Sequence, residues 1–468
     1  MLAIGVILLV AVSSSKLLYR FGIPTLLIFM VLGMLLGSDG PGGIAFSNYE
    51  VARKICSFAL VFIMFYGGFS TNWKIAKPVA VRSILMSTLG VVITAITTGL
   101  FCHLVLKTTL LEGLLIGSVI ASTDAASVFA ILRSRKLNLK GGLASLLEIE
   151  SGSNDPVAYM LTIVTLTLMS NDTETSLGLV LLYQIVFGIL VGFVLAKLSG
   201  FVLKRVNLEI DGLYPIFVTA IAIVAYAFSE TIGGNGYLCV YIVGIYLGNT
   251  RFIHKRSLVH FFDGISWLMQ ILLFFTLGLL SFPSHLPKIA LSACAIAIFI
   301  LLVARPLATF LILSWFKTPI KQQLFVSWVG LRGAASIVFA IYALTYNVAI
   351  KNDIFHIVFF VSLFSVSIQG SFIPLIARKL NLVEEESPVA KTFNDYQEEN
   401  STQLVELTIQ DDNPWANKSI MEADIPEEIL VVMIKRKQEV VVPKGSTMMK
   451  PGDILVLSGN DLDLIPRP

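Results

Sequence analysis

Charge is scarce in this chain. Only 14% of its 468 residues are Asp, Glu, Lys or Arg, against about 25% in soluble domains. With 56% hydrophobic residues and a mean hydropathy of +0.82, that scarcity excludes a soluble globular protein and points to a polytopic membrane protein. The net charge of +3 is small and spread over loops, which argues against a nucleic-acid surface. Cysteine is rare as well. Cys56, Cys102, Cys239 and Cys294 lie in or beside apolar segments and form no CxxC or Cys/His pattern, so they read as buried free thiols. The five histidines are scattered, and His254 and His260 share one basic loop as interfacial residues. The N-terminus lacks a basic leader and a cleavage site, so Met1–Val12 reads as the start of a first span.

What is present is apolar length. Taking ~20 apolar residues per crossing, about thirteen candidate spans lie near 2–18, 22–36, 55–70, 80–106, 113–132, 142–169, 178–203, 213–229, 235–250, 265–281, 288–316, 320–346 and 354–377. Basic residues alternate sharply between the loops. One set holds Lys16, Arg20, Lys74, Lys77, Arg82, the Arg133–Lys140 cluster, Lys204, Arg205, Arg251, Lys255, Arg256, Lys317, Lys321, Arg378 and Lys379. The other set holds Arg53, Lys54, Lys107, Lys288 and Lys351. The richer set is expected in the cytoplasm, which puts the N-terminus outside and the C-terminal tail inside.

The expected fold is an all-α polytopic membrane protein with a small C-terminal α+β domain. Residues 1–383 form the membrane domain, 384–403 a polar linker and 404–468 the tail. In the tail, Leu404–Ile409, Leu430–Ile434, Glu439–Val442 and Asp453–Leu457 read as strands, and Ile420–Ala423 as a short helix. Roughly sixty-five residues bury only a marginal core, so the tail is expected to need a partner copy or the membrane domain for stability.

Polar residues inside spans carry the functional signal. Gly142–Met169 is apolar enough to cross a bilayer, yet runs Glu-Ser-Gly-Ser-Asn-Asp from Glu150 to Asp155. An ionisable group at that depth costs about 2.5–3.5 kcal/mol on insertion scales. Glu150 and Asn154 are one turn apart, as are Ser151 and Asp155, so two polar stripes line one side of a helix. Oxygen ligands there suit a small hard cation or a proton; the alternative is a polar seam that only packs helices. Three further features lie in spans: Ser122-Thr123-Asp124, Arg305-Pro306 and Gly330-Leu331-Arg332-Gly333.

Small residues with Thr and Asp permit local unwinding and close helix approach. Asp124 is then expected to compensate the positive end of one half-helix and Arg332 the negative end of its counterpart. Arg305 needs an anion, and Glu150 is the best placed, as either a functional or a purely structural pair. That leaves Asp155 free to exchange its partner. Loaded with a proton or a monovalent cation it is neutral and crosses; empty, it is a bare anion. With Asn154 in place of a second acid, one cation swaps for one proton and no net charge moves, so the membrane potential does not drive the cycle. The stretch Thr123–Ala130 also echoes Arg332–Ala340 seven spans later, an odd offset that implies opposite orientation, as in transporters with inverted repeats and broken helices.

Other classes fit less well. A channel calls for a repeated carbonyl-lined filter motif, and none is seen. No Ser/His or metal-ligand pairing supports an enzyme.

Taken together, Ser122-Thr123-Asp124, Glu150–Asp155, Ala304-Arg305-Pro306 and Gly330–Gly333 resemble the first family of monovalent cation:proton antiporters. Within that family the chain looks most like the NhaP/CvrA-type potassium/proton antiporters of bacteria. The resemblance spans about residues 1–380. It implies a homodimer in the inner membrane, with a dimerisation part and a mobile core. It also implies broken fifth and twelfth spans crossing at the ion, and no resident cofactor beyond the exchanged cation and proton. Carried over, the ion site uses Asp155 with Ser151 and the Thr123 backbone, Asn154 and Asp124 support it, and Glu150 pairs with Arg305. Tyr66 stands where relatives often have an acid.

The tail resembles a TrkA-C module through Pro443-Lys444-Gly445-Ser446 and Lys450–Leu455. That implies a regulatory small-molecule ligand, such as a nucleotide, on residues 404–468. Some relatives continue beyond such a unit, so the regulatory input here is expected to differ.

Overall fold

The computed structural model describes residues 25–384 and 403–459, apart from 136, 171–175, 206–209, 211, 251, 253–254, 347, 412, 424, 427–428 and 437–438, together with Gly5. Apart from Gly5, the expected span at 2–18 lies outside the described residues, as does nearly all of the linker.

Backbone amides have no water partner in lipid, so the apolar runs close their hydrogen bonds within helices. In chain order these are α1 Thr25–Leu36, α2 Tyr49–Ser70, α3 Trp73–Ala76, α4 Ala80–Leu85, α5 Val91–Val105, α6 Leu110–Ile120, α7 Ala125–Ser134, α8 Leu143–Met169 and α9 Leu177–Arg205. They continue as α10 Leu213–Thr231, α11 Gly236–Asn249, α12 Lys255–Leu280, α13 Leu286–Phe299, α14 Arg305–Leu313, α15 Ile320–Trp328, α16 Ala334–Thr345, α17 Ile354–Phe364 and α18 Ile373–Lys379. Side-chain caps set several starts: Asn48 accepts from Val51 N, Asp124 from Ser127 N, and Asn235 from Leu238 N. Wide π turns at Met86–Gly90, Ile300–Ala304 and Ser365–Gln369 join α4 to α5 and α13 to α14, and extend α17.

Among the described residues six helices are long and apolar enough to cross a membrane, or eight if each of two bent pairs is one span. The bends are 40° between α6 and α7, and 47° between the α17 segment and α18. α8 is not among them and carries Glu148, Glu150, Asn154 and Asp155 within its length; α1, α11 and α16 are shorter apolar helices.

The helices pack as two groups. α1, α2 and α9–α12 pack mainly on one another, and α4–α8 with α13–α18 form the second group. The seam between them is made chiefly by α16 against α2, and by α8 against α9 and α11.

The tail is a separate compact unit. Its strands β1 Gln403–Thr408, β2 Ile429–Arg436, β3 Glu439–Val441 and β4 Ile454–Gly459 form one antiparallel sheet in the order β1-β4-β2-β3. Leu407, Ile409, Trp415, Ile434, Met449, Leu455 and Leu457 make its core. The expected helix at Ile420–Ala423 is instead a turn. The amides of Ile420 and Met421 bond across to the carbonyls of Thr447 and Gly445, which takes them away from a helical ladder. Among the described residues the tail is therefore a sheet with turns rather than an α+β unit.

Candidate functional site

Two chain breaks meet inside the second helix group. α6 stops at Ile120, Ala121–Asp124 lie outside any helix with Asp124 extended, and α7 starts at Ala125. α15 stops at Trp328, and Val329–Gly333 lead into α16. The breaks are tied backbone to backbone, with Asp124 N donating to Leu331 O at 2.8 Å. Glycine is required at 333 because a Cβ there would lie 2.5 Å from Asp124 Cβ.

The helix ends are compensated by side chains. Asp124 Oδ1 accepts from Ser127 N at 3.2 Å and Oδ2 from Ser127 Oγ at 2.5 Å, at the positive end of α7. Arg332 Nη1 donates to the carbonyls of Ile120, Ala121 and Ser122 at 2.8, 2.8 and 3.0 Å, at the negative end of α6. The Arg332 amide donates to Ser365 Oγ at 3.0 Å, which fixes the second break on the α17 segment.

α8 runs beside this crossing and presents its polar stripes to it. Ser151 Oγ donates to Thr123 O at 2.8 Å and accepts from Ala125 N at 2.9 Å. Asn154 Nδ2 donates to Thr123 Oγ1 at 2.5 Å, and Ser122 Oγ donates to Asp155 Oδ1. Asp155 is buried, as is Asn154, whose Oδ1 has no hydrogen-bond partner. Arg305 Nη1 lies 2.6 Å from Glu150 Oε1 in a fully enclosed ion pair. Arg305 and Arg332 also line a small polar cavity with Ser327, Gly330, Ser365 and Gln369. The glycine within the α8 motif is explained by Tyr241 of α11, whose ring lies so close that a Cβ on Gly152 would meet it at 2.7 Å.

All eight residues singled out from the sequence (Thr123, Asp124, Glu150, Ser151, Asn154, Asp155, Arg305 and Arg332) thus line or brace the crossing. Sequence reasoning left out Ser122 as a ligand of Asp155, although it opens the same motif, and gave no signal for Ser365 or Tyr241. Tyr66 donates from its hydroxyl to Asp263 Oδ1 at 2.8 Å within the first helix group.

Two of the scattered histidines, His285 and His356, also meet Asp353 at the α13–α17 rim. His356 Nδ1 sits 2.7 Å from Asp353 Oδ2, and His285 Nδ1 sits 3.4 Å from the same oxygen. His356 Nε2 accepts from Phe282 N at 2.9 Å, so the ring proton is on Nδ1, facing the carboxylate. With both ring nitrogens engaged, His356 has no lone pair to offer a metal.

Crossed broken helices inside a membrane domain, with buried carboxylates and arginines where they meet, define the class: a membrane transporter. Residues 5–379 match the model of the transmembrane sodium/hydrogen exchanger family, and residues 404–464 match that of the TrkA-C domain. The chain belongs to the sodium/hydrogen exchanger family. It is 37% identical over 462 residues to the K(+)/H(+) antiporter NhaP of Alkalimonas amylolytica, covering 97% of this chain and 80% of the relative. It is 36% identical over 463 residues to the K(+)/H(+) antiporter NhaP2 of Shewanella sp. strain ANA-3, with the same coverage. Among solved structures, it resembles the sodium proton antiporter MjNhaP1 of Methanocaldococcus jannaschii at pH 8, with a TM-score of 0.71 and 26% identity. That match covers 81% of this chain and 99% of the other.

Proposed function

We propose that this protein exchanges a monovalent cation, with potassium favoured over sodium, for a proton at Asp155, without moving net charge. The observation that carries the reading is the state of two neighbouring side chains. Asp155 is buried at the crossing with one oxygen on Ser122, and the Asn154 Oδ1 atom next in sequence is buried without a partner. An unmatched acceptor oxygen beside a sequestered carboxylate suits a dehydrated alkali cation, and the same carboxylate suits a proton. The Thr123 carbonyl and Ser151 complete the oxygen set, with Asp124 in support. Glu150–Arg305 and Arg332 hold the frame in which the exchange occurs. Potassium is favoured because relatives at 37% and 36% identity carry it in their names, and sodium is the second choice through the MjNhaP1 likeness.

The reading extends to architecture. Residues 1–383 are the antiporter domain, crossing a bacterial inner membrane about thirteen times as inverted repeats. The N-terminus lies outside and the tail in the cytoplasm. Two copies form a homodimer in the lipid, and the second helix group rocks against the first to expose Asp155 to each side in turn. Beyond the linker at 384–403, the tail at 404–468 binds a small-molecule regulator, a nucleotide being the first to try. The protein acts as a transporter in pH homeostasis and cell volume regulation and carries out no covalent chemistry.

The test is fluorescence dequenching in everted vesicles, comparing potassium, sodium and lithium across pH. Asp155→Ala is expected to abolish exchange while the protein still assembles. Retained exchange in that variant overturns the assignment.

A further inference from the structure

Five hydrogen bonds cross the seam between the two helix groups on the Tyr159 side of Asp155, the side that the loop charges place outward. Three converge on a single atom. The Tyr342 hydroxyl, on α16 of the second group, lies 2.9 Å from Ser57 Oγ of α2. It lies 3.1 Å from the Tyr226 hydroxyl of α10 and 3.2 Å from the Tyr237 hydroxyl of α11. The fourth bond runs from the Tyr159 hydroxyl of α8 to Glu230 Oε2 of α10 at 3.2 Å, and the fifth from Asn235 Nδ2 to Pro156 O at 2.8 Å.

The rings carry the contact further. Tyr159 meets Tyr237 and Tyr342 edge-on at 5.0 and 5.3 Å, and the Arg53 guanidinium lies 5.4 Å from the Tyr342 ring centre. Tyr159, Tyr237, Tyr342 and Ser57 are all buried, so this end of the seam is shut over Asp155.

A hydroxyl has one proton to donate and two lone pairs to accept with, so three partners saturate Tyr342. The cluster is therefore complete only while the two groups are together. It is built of neutral hydroxyls, which water replaces at little cost once the seam parts, whereas a buried ion pair resists separation. Apolar packing alone would give closure without this ready exchange for water.

We propose that Tyr342 is a positioning residue of the exchange cycle: its hydroxyl latches the outward end of the seam while Asp155 faces the cytoplasm, and releases Ser57, Tyr226 and Tyr237 to water when Asp155 turns outward. This rests on the exchange reading above and on the orientation that goes with it. Removing the Tyr342 hydroxyl takes one partner from each of three hydroxyls in the latched state alone, because in the open state they are hydrated. The balance then tips toward the outward-facing form, and a shift of populations changes apparent affinity oppositely on the two faces.

The test uses the full-length protein in everted and right-side-out vesicles, with potassium as the probe. For Tyr342→Phe the KM for potassium is expected to fall on the outer face and rise on the inner face, changing their ratio by about tenfold. Ser57→Ala, which removes one partner, is expected to move the ratio the same way by less. Hydrogen exchange of peptides from α2 and α11 is expected to quicken in both variants. An unchanged ratio and unchanged exchange in variants that assemble normally overturn the latch; if Tyr342→Phe fails to assemble, Ser57→Ala decides alone. The two ideas fail separately. If Asp155→Asn still exchanges ions, the exchange reading falls, and the hydrogen-exchange comparison alone decides for or against the latch.

Discussion

Arg305 and Glu150 meet at 2.6 Å with side chains only 4% and 2% exposed, one on α14 and one on α8. Breaking such a pair from one side strands a charge away from water and costs about 3–5 kcal/mol, while replacing both partners with apolar groups is often neutral. Glu150→Leu and Arg305→Leu are each expected to lower the melting temperature in detergent sharply. The double variant is expected to recover most of the loss. A double variant as unstable as either single would mean that the charges brace the fold through other contacts.

On the exchange reading proposed above, Asn154 leaves Asp155 as the one acid that exchanges its partner. Asn154→Asp places a second carboxylate one residue from Asp155, and a carrier with two acids and one cation no longer crosses neutral. Exchange in that variant is expected to respond to an imposed membrane potential, since moving one charge is worth about 2.3 kcal/mol per 100 mV. Parallel rates with and without an imposed potential, set by a permeant ion other than an alkali cation, would contradict the charge argument.

Gly152 is in contact with the Tyr241 ring, where an added Cβ would approach to 2.7 Å. Gly152→Ala forces α8 and α11 apart at the level of the site, and overpacking of this kind costs roughly 1–3 kcal/mol. Exchange is expected to drop severely in Gly152→Ala and to return in part when Tyr241→Ala opens the space. Failure of that second change to help would point to helix backbone effects instead of the ring contact.

In the tail, Asp453 accepts from Arg436 Nε at 2.8 Å and Nη2 at 2.7 Å, and from Lys450 N at 2.8 Å. The Arg436 hydrogen bonds hold its carboxyl below the ordinary carboxylate range. A depressed value in the fold means the stabilisation is fully present above the unfolded value of about 3.9 and is lost as pH falls through the folded one. Asp453→Asn is expected to weaken protection of the β2 amides at neutral pH by about 1–3 kcal/mol. The loss seen in the unmodified protein in acid is expected to be blunted in that variant. Hydrogen exchange of 429–436, corrected for intrinsic rates, measures both.

Much of the crossing was legible because polar residues in an apolar span stand out against their neighbours. Thr123, Asp124, Ser151, Asn154 and Asp155 announced themselves by chemistry, and helical spacing put the last three on adjoining stripes. The pairing of Arg305 with Glu150 followed from charge balance in a medium that tolerates few lone ions. Long-range contacts made by ordinary residues gave no such signal. Ser365 is one of many serines, yet it holds the Arg332 amide; Tyr342 is one tyrosine among thirteen, yet three hydroxyls converge on it. His285 and His356 are 71 positions apart, and only the fold brings both to Asp353. In the tail, 420–423 reads as a helix in sequence because the amide bonds that make it a turn depend on residues more than twenty positions away.

The guanidinium of Arg332 already occupies the three carbonyls at the end of α6. Three of the main-chain oxygens that a broken helix would otherwise offer a visitor are thereby withdrawn, those of Ile120, Ala121 and Ser122 but not that of Thr123. On the exchange reading proposed above, retuning the preferred alkali metal is therefore a matter of the Thr123 carbonyl and of side-chain reach along Ser122–Thr123 and Ser151–Asp155, and substitutions of Arg332 are expected to damage the scaffold before they alter its taste.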